Sequence, residues 1–372
     1  MKLIFAYISI MAGNTIGRIL RLASFGESHG KLIGGVLEGF PSGLSINLEA
    51  LEKAMQRRAP GSGIASSPRN EADKVEIVSG VFAGRTTGAP IAFFIENSSH
   101  KSSDYEHLKD VYRPSHSSFT YEHKYGNYDH RGGGRSSARE TAVRVAAGSL
   151  CQQLLEQYGV TIIGYVSQVG TVAVNIPYHQ LDFQNIENSE IRCPDKDTEI
   201  RMLHYLEEIK EQGDSVGGIV SCVIKGVPPG IGDPVYERLQ AILGMYILSI
   251  NAVKGFEYGE GFRSASMKGS EHNDSFTFEN DLVHPLTNHA GGILAGISTG
   301  EDIFFRVAFK PVSSIKRSMD TVDKLGNAIK IETGGRHDVC IVPRAVAVVE
   351  AMASLAIADC MLLSGKIPGN LS

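Results

Sequence analysis

Tryptophan is absent from the 372-residue sequence, and cysteine occurs only five times, at scattered positions without a Cys-x-x-Cys pair. An odd number of dispersed cysteines argues against a disulfide framework or a thiolate zinc site and is typical of reduced thiols in a cytoplasmic protein. Excess positive charge is also missing, since the formal net charge is −5, which disfavours a protein that coats nucleic acid. No uninterrupted apolar run reaches the ~20 residues that cross a bilayer, so no membrane association is expected.

What is present is the composition of a soluble globular chain with a sizeable core, 42% hydrophobic and 21% charged. The length allows one large domain or two ordinary ones. The first ten residues, MKLIFAYISI, are apolar, but no small-residue cleavage pattern follows them, and MAGNTIGR reads like an ordinary start at Met11. We therefore expect residues 1–10 to be an extension outside the fold.

Glycine is frequent, with 41 residues, and it recurs in related segments. GGVLEGFPSGLSI (34–46) resembles GGILAGISTGEDI (291–303), and SGVFAGRTTGAPI (79–91) and GGIVSCVIKGVPPG (217–230) are looser versions. Each has the pattern of a short strand, a turn of small residues and a second strand. The segments predict antiparallel strand pairs in an approximate internal duplication, with chance similarity of glycine-rich turns as the alternative.

Three helices are predicted between these units. Asn47 is a suitable cap for residues 48–59, and S-A-R-E at 137–140 has the form of a capping box that begins a helix ending near Gly159. The segment from Pro343 to Gly365 is apolar nearly all round and belongs in a core. Helices of this kind with antiparallel strand pairs predict an α+β fold in which sheets cover a helical layer. Residues 178–197, polar and irregular, predict a surface excursion.

The densest polar stretch runs from 112 to 144 and is centred on RGGGRSS. Its six cations and three histidines face only three acids: Arg113, Lys124, Arg131, Arg135, Arg139, Arg144, His116, His123 and His130 against Glu122, Asp129 and Glu140. Consecutive glycines let the backbone approach a ligand, and a following helix start with arginines suits phosphate or carboxylate. The alternatives are a solvated glycine loop and an RNA-binding Gly/Arg segment, and the P-loop pattern is absent.

The pentapeptide GESHG, residues 26–30, fits the G-x-S-x-G pattern of a serine nucleophile elbow. An elbow needs a helix after the serine, whereas KLIGGVLEGFPSG predicts a second strand. Attention therefore moves from Ser28 to His29 as an acid/base group, although a histidine of purely structural role remains open. KPVSSIKRS (310–318) and GGRHD (334–338) are further candidate anion sites or, taken singly, solvated loops.

Together these stretches resemble the chorismate synthase family. The matching motifs occur in the family's order: GESHG, RPSH, HKYG, RGGGRSSARET, NAVKG, HAGGILAG, KP-x-SSI and GRHD-x-C-x-x-P-R. The resemblance covers nearly the whole chain from Met11 and implies a single domain over residues 11–372, built as a layered β-α-β sandwich with helices between two antiparallel sheets. Residues 1–10 have no counterpart in it.

The resemblance implies an enzyme of the shikimate pathway, a carbon–oxygen lyase that forms chorismate. Its substrate is 5-enolpyruvylshikimate 3-phosphate, from which phosphate and a ring proton leave in an anti-1,4-elimination. The reaction needs reduced FMN without net redox change, with NADPH as an indirect source of electrons. The family assembles as a cytoplasmic homotetramer.

Site residues carry over motif by motif. His29 corresponds to a proton donor near the departing phosphate, His116 to a residue that protonates the reduced flavin, and Asp338 to one that helps the flavin accept the ring proton. Arg58 and Arg139 are the implied substrate or NADP contacts, and no metal site is implied. The implied flavin contacts are Arg135, Ser136, Ser137, Asn251, Ala252, Ala295, Lys310, Pro311, Val312, Ser313, Ser314 and Arg336.

The sequence departs from the family pattern at few of these positions. Val312 stands where the family usually has threonine, and Ala295 replaces a common glycine. At position 295 the resemblance therefore implies only a flavin contact through the backbone. At position 312 one hydroxyl near the implied flavin site is lost. The proposed acid/base residues are unaffected.

Overall fold

The computed structural model describes residues 13–59, 63–65, 73–97, 109–279, 281–332 and 338–371. Residues 1–10 lie outside these ranges, so their predicted separation from the fold stays a prediction. The chain forms two five-stranded antiparallel sheets with helices packed between them. The predicted α+β layered fold is therefore confirmed.

The regular elements fall into two halves. The first half contains β1 (Thr15–Ile16), β2 (Arg21–Phe25), β3 (Leu32–Glu38), α1 (Leu48–Arg58), β4 (Val75–Ile77), β5 (Val81–Phe82), β6 (Arg85–Thr86), β7 (Ile91–Glu96), α2 (Ser118–Tyr125) and α3 (Thr141–Glu156). The second half contains β8 (Thr161–Val169), β9 (Val172–Ala173), α4 (Lys196–Glu211), β10 (Gly218–Lys225), α5 (Leu239–Leu248), β11 (Val253–Tyr258), α6 (Gly269–His272), β12 (Phe276–Glu279), β13 (Leu282–Pro285), β14 (Ile293–Leu294), β15 (Ile297–Ser298), β16 (Ile303–Phe309), β17 (Met319–Val322), β18 (Ala328–Ile331) and α7 (Val342–Leu363).

The two halves repeat one topology. The first sheet has the strand order β1-β2-β3-β7-β4, and the second has β9-β8-β10-β16-β11. In chain order, β2, β3, α1, β4, the β5–β6 hairpin, β7 and α3 correspond to β8, β10, α5, β11, the β14–β15 hairpin, β16 and α7. The predicted internal duplication is confirmed, with β12–β13 and β17–β18 as additions to the second half.

The repeated hairpins explain why the sequence segments look alike. Ala83 and Gly84 connect β5 to β6, and both have positive φ angles, 47° and 77°. Ala295 and Gly296 connect β14 to β15 in the same way, with φ angles of 52° and 97°. A two-residue turn with both angles positive matches the twist of a hairpin, and it explains the Ala-Gly pair in each copy. The similarity of segments 79–91 and 291–303 is therefore structural rather than accidental. The predicted strand pair is wrong for segments 34–46 and 217–230, each of which contains a single strand, β3 and β10 respectively.

Two long helices fill the space between the sheets. α3 packs on β3 and β7 of the first sheet, α7 packs on β8 and β10 of the second, and the two helices contact each other. In α7 every residue except Arg344 and Leu363 is buried. This helix is long and apolar enough to cross a membrane, but 94% of its most apolar window lies inside the fold. It has the burial of a core helix.

The two acids of α7 bind backbone groups of the surrounding layers. Asp359 accepts hydrogen bonds of 2.9 Å from the backbone N–H groups of residues 18, 19 and 20, just before β2. Glu350 accepts one of 2.8 Å from Gly164 in β8 and forms an ion pair with Arg57. Because buried carboxylates are costly unless paired, these contacts explain how charged residues persist in an apolar helix.

Two local predictions need correction. Ser137 accepts a hydrogen bond from the Arg139 N–H, but Glu140 pairs with Arg144 rather than capping the helix start, so the reciprocal capping box does not form. A short 3₁₀ turn over residues 138–140 precedes α3 instead. The segment 178–197 is also more ordered than predicted, since it contains two 3₁₀ helices and buries Ile186.

Candidate active site

The GESHG loop lies between β2 and β3 and is held at both ends. The Arg135 guanidinium donates to the Gly26 carbonyl at 3.1 Å. The Asn97 amide, directly after β7, donates to the Glu27 and Gly30 carbonyls at 3.0 Å. The six residues between these strands would be free to move without such contacts. The loop that carries His29 is thus fixed in place by side chains from two other segments.

Ser28 does not have the surroundings of a nucleophile. β3 begins at Leu32, where an elbow would require a helix. The Ser28 hydroxyl is buried and has no hydrogen-bond partner among the described residues. The serine is therefore not activated by a neighbouring base, and the predicted second strand is present.

The two predicted acid/base histidines lie against consecutive residues of a three-glycine segment. Gly132, Gly133 and Gly134 all have positive φ angles, 59°, 94° and 54°. A Cβ atom on Gly132 would lie 2.4 Å from the His29 ring, and one on Gly133 would lie 3.4 Å from His116 Nε2. The two rings therefore rest against consecutive residues of one backbone. We call Gly132–Gly134 with these two rings the glycine cradle.

His116 is held as a neutral imidazole of defined tautomer. Its Nδ1 accepts a hydrogen bond of 3.1 Å from the Ser118 backbone N–H, so the ring proton belongs on Nε2, which faces Gly133. Burial, together with the charges of Arg113 and Lys310, lowers the pKa of His116 to about 3. The ring therefore presents a neutral N–H donor to the glycine cradle at neutral pH.

This burial predicts an acid-side loss of stability. The unfolded histidine has a pKa of about 6.5, so below that pH the unfolded state takes up a proton that the folded state refuses until about pH 3. Above about pH 6.5, His116 therefore does not lower the free energy of unfolding. Below that pH, the free energy of unfolding falls by up to about 1.4 kcal/mol per pH unit. Urea unfolding between pH 6.5 and 4 should show a shallower decline for His116→Gln than for wild type. His123→Gln, at an exposed position of α2, should match wild type, and equal slopes for all three proteins would contradict the assignment.

Several implied flavin contacts surround His116. Asn251 donates to the Ser136 carbonyl at 2.9 Å, and Lys310 donates from its backbone to the Ala252 carbonyl at 3.0 Å. The Lys310 ammonium reaches the carbonyl of Ser115, next to His116, at 3.0 Å. The Asn251 Oδ1 atom is buried without a partner among the described residues. An acceptor that is buried without a partner among the described residues is a group that a bound polar ring system would complete.

Other implied flavin contacts do not converge in this way. Arg135 uses its guanidinium on Gly26, Ser24 and Asn14, so in this structure it supports the GESHG loop. Ser137 binds the Arg139 N–H.

The remaining positions are spread over three places. Ala295 lies in the β14–β15 turn, and no described contact joins it to the glycine cradle. Val312 accepts a hydrogen bond of 2.7 Å from Ser215 through its carbonyl, in the segment that includes Pro311, Ser313 and Ser314. Arg336 lies outside the described residues.

Arg58 and Arg139 meet at a buried carboxylate. Asp73, with a side chain 1% exposed, pairs with Arg58 through one oxygen and with Arg139 through the other. Arg344 of α7 donates to the Arg58 carbonyl at 3.1 Å and to Asp338 at 2.6 Å. Burial lowers the pKa of Arg58, and the neighbouring Arg344 and Arg139 act in the same direction, against Asp73. We call these five residues the arginine cluster.

A single amide connects the arginine cluster to the glycine cradle. Arg139 donates from Nε to Asn97 Oδ1 at 2.9 Å, while Asn97 holds the loop that carries His29. The sequence interpretation missed Asn97 and Asp73, which stand in no glycine-rich or basic motif. Arg344 was contained in the GRHD-x-C-x-x-P-R motif but was assigned no role.

A cavity of about 320 Å³ lies elsewhere, between α1, α3 and β8. Three of its charged residues pair with one another, since Arg57 forms ion pairs with Glu350 and Glu187. Among the described residues, no group of three His, Cys, Asp or Glu side chains is placed to hold a metal ion. The glycine cradle and the arginine cluster remain the candidate site.

Comparison with known proteins gives one consistent result. The family model described as chorismate synthase matches residues 20–362. The chorismate synthase of Bacteroides thetaiotaomicron is 51% identical over 350 residues, which are 94% of this chain and 98% of that protein. That of Porphyromonas gingivalis is 52% identical over 355 residues, 94% of this chain and 96% of that one.

A solved structure agrees with the sequence comparisons. A crystal structure of chorismate synthase superimposes with a TM-score of 0.74 at 31% identity, covering 94% of this chain and 93% of that one. This chain belongs to the chorismate synthase family.

Proposed function

We propose that the glycine cradle and the arginine cluster together carry out the reaction of this family, in which a lyase of the shikimate pathway forms chorismate from 5-enolpyruvylshikimate 3-phosphate. The observation that carries the proposal is the contact of His29 and His116 with consecutive glycines, one amide away from paired buried arginines. Proton donors next to concentrated positive charge are what the loss of a phosphate group requires.

The arginine cluster supports binding of the anionic groups of the substrate. Arg58 and Arg139 are nearly fully buried, and their guanidinium forks suit phosphate or carboxylate oxygens. A phosphate dianion is a poor leaving group unless cations and a proton meet it as it departs. His29, on the loop that Asn97 joins to Arg139, is our candidate for that proton.

The residues around His116 suit a flavin. Ser136, Asn251 and Lys310 would hold it, and the unpaired Asn251 Oδ1 supports this assignment. Reduced FMN, when bound, supplies transient electron density without net oxidation. The Nε2–H of His116 is placed to donate to an anionic group, and a bound anion would raise the pKa of this imidazole.

Asp338 completes the set of proposed acid/base residues. Its carboxylate accepts a hydrogen bond of 2.6 Å from Arg344, which fixes its orientation. A carboxylate in this position is suited to help move the ring proton. We assign no direct reductant site for NADPH, which we propose acts only through a separate source of reduced flavin.

Other properties of the family remain proposals for this chain. A homotetramer, a cytoplasmic location and one domain over residues 11–372 are proposed. One hydrophobic core continues across both halves, which supports a single domain. All five cysteines are free and buried, which supports a reducing compartment.

Turnover of the purified protein tests the proposed function. With reduced FMN and 5-enolpyruvylshikimate 3-phosphate under anaerobic conditions, we expect equal amounts of chorismate and inorganic phosphate. Chorismate is followed by its absorbance and phosphate by a colorimetric assay. Oxidised FMN is the control and should give no turnover. Phosphate release without chorismate, or no product at all, would rule out this function.

A further inference from the structure

Asp73 occupies an unusual position for an acid in a site that must bind anions. Each of its carboxylate oxygens is bonded to a different arginine, one to Arg58 and the other to Arg139. Both the acid and Arg58 are almost fully excluded from solvent, with side chains 1% and 2% exposed. Such an acid weakens the attraction of the site for an anion, so its benefit must lie in orientation.

The bridging carboxylate leaves other donors available. The Nε atom of Arg58 is buried and has no partner among the described residues. Since Asp73 occupies Nη2 of the same guanidinium, the direction of the remaining donors is fixed by this ion pair. The buried Nε–H has lost its hydration without gaining an acceptor among the described residues, and an anionic oxygen would supply the missing acceptor.

The same carboxylate also restrains the path to His29. Arg139 donates to Asp73, to Asn97 and to the Glu96 carbonyl, so its guanidinium is fixed on several sides. Asn97 in turn holds the loop on both sides of His29 through Glu27 and Gly30. Movement of the Asp73 carboxylate would therefore disturb the cations and the loop that carries the proton donor.

We propose that Asp73 is a positioning residue that presets Arg58 and Arg139 for the departing phosphate. The inference rests on the proposed function and goes beyond it, because Asp73 itself need not touch the substrate. Catalysis depends on interactions that are stronger in the transition state than in the ground state. Removing the negative charge should preserve or strengthen substrate binding while the donors lose the orientation that phosphate departure requires.

The chain offers a matched control on the neighbouring residue of α1. Arg57 forms a buried ion pair with Glu350, just as Arg58 does with Asp73, but it faces the separate cavity described above. Glu350→Gln removes a buried carboxylate from an arginine of the same helix end. It therefore reproduces the structural cost of Asp73→Asn without altering the arginine cluster.

The test compares steady-state kinetics of the complete, flavin-supplied enzyme. For Asp73→Asn we expect kcat to fall by about 10- to 100-fold with KM unchanged or lower. Asp73→Glu, which keeps the charge on a longer side chain, should recover part of kcat. Glu350→Gln should keep kcat and KM within about threefold while its melting temperature falls. A raised KM at normal kcat for Asp73→Asn, or equal kinetic losses in Asp73→Asn and Glu350→Gln, would overturn the proposal.

A binding measurement separates this proposal from the proposed reaction. Thermal shift with inorganic phosphate should stabilise wild type and Asp73→Asn but not Arg58→Gln. If wild type fails to form chorismate while this pattern holds, the reaction is wrong and the anion site stands. If Asp73→Asn does not fold, Asp73→Glu decides, since normal kcat in that variant overturns the positioning role and a reduced kcat at unchanged KM supports it.

Discussion

Gly132→Ala is expected to lower turnover by about 10- to 10⁴-fold, the range for loss of an acid/base group, although the residue carries no reactive atom. The added Cβ would lie 2.4 Å from Cδ2 and Nε2 of His29, and real Cβ atoms do not approach so closely. The ring must therefore leave its position against the glycine cradle. The expected loss is as large as that of His29→Ala.

The surrounding contacts leave the loop little room to adjust. Arg135 holds Gly26, and Asn97 holds Glu27 and Gly30, so the backbone on both sides of His29 is anchored. Rotation of the imidazole then becomes the accessible response, because side-chain torsions are softer than several hydrogen bonds. A rotated ring no longer presents its nitrogen to the same place, and proton transfer depends steeply on that distance.

Gly126→Ala is the matched control for the backbone. Gly126 ends α2 with a φ angle of 68°, close to the 59° of Gly132, but a Cβ there would meet nothing within 4 Å. Both substitutions place an alanine at a positive φ angle, which costs about 1 kcal/mol in the left-handed region, and the ψ angle of −53° at Gly126 makes the control the more strained of the two. Only Gly132→Ala should lose activity in the anaerobic chorismate assay. Turnover above half of wild type in folded Gly132→Ala would remove His29 from the mechanism.

The double variant sharpens the conclusion. If Gly132 acts through His29, then His29→Ala combined with Gly132→Ala should be no slower than His29→Ala alone. Multiplicative losses would instead mean that the cradle has a separate task, such as holding the flavin. FMN binding measured by fluorescence would then fall in Gly132→Ala but not in His29→Ala.

Much of the fold was predictable because its signals are local. An Ala-Gly pair between short strands is typical of a two-residue hairpin turn, and it occurs at 83–84 and at 295–296. The apolar run after Pro343 could only be a core helix, since no face of it was polar enough for solvent. Two copies of one local pattern then implied the duplication.

The site was predictable only in part, because its decisive contacts are between distant residues. Arg135 and Arg139 are four residues apart and equally suited to bind anions, yet one supports the GESHG loop while the other joins Asp73. Asp73 is 15 residues from Arg58 and 66 from Arg139, and no pattern around it signals that meeting. The Glu140 carboxylate could pair with Arg144 or accept a hydrogen bond from the backbone at the helix start, and it pairs with Arg144. Competition of this kind is settled by packing.

The contact between α3 and α7 predicts a large effect on stability. A Cβ on Gly148 of α3 would lie 2.4 Å from Cβ, 2.5 Å from Cα and 2.7 Å from the carbonyl oxygen of Ala351 in α7. Those atoms are the backbone and the Cβ of an alanine in a buried helix, so no rotamer change can relieve the clash. Gly148→Ala must separate the two helices, and overpacking of a well-packed core costs about 1–3 kcal/mol and occasionally more.

Gly244→Ala gives the opposite expectation and isolates the cause. Gly244 lies within α5, and its Cβ would meet the Phe256 ring at 3.6 Å, an ordinary contact. Since alanine is better than glycine inside a helix by about 0.5–1 kcal/mol, this variant should be more stable than wild type. Urea unfolding followed by circular dichroism should therefore move the midpoint down for Gly148→Ala and up for Gly244→Ala. A higher midpoint for both variants would show that α3 and α7 are not in backbone contact. It would contradict the packing of the helical layer between the sheets.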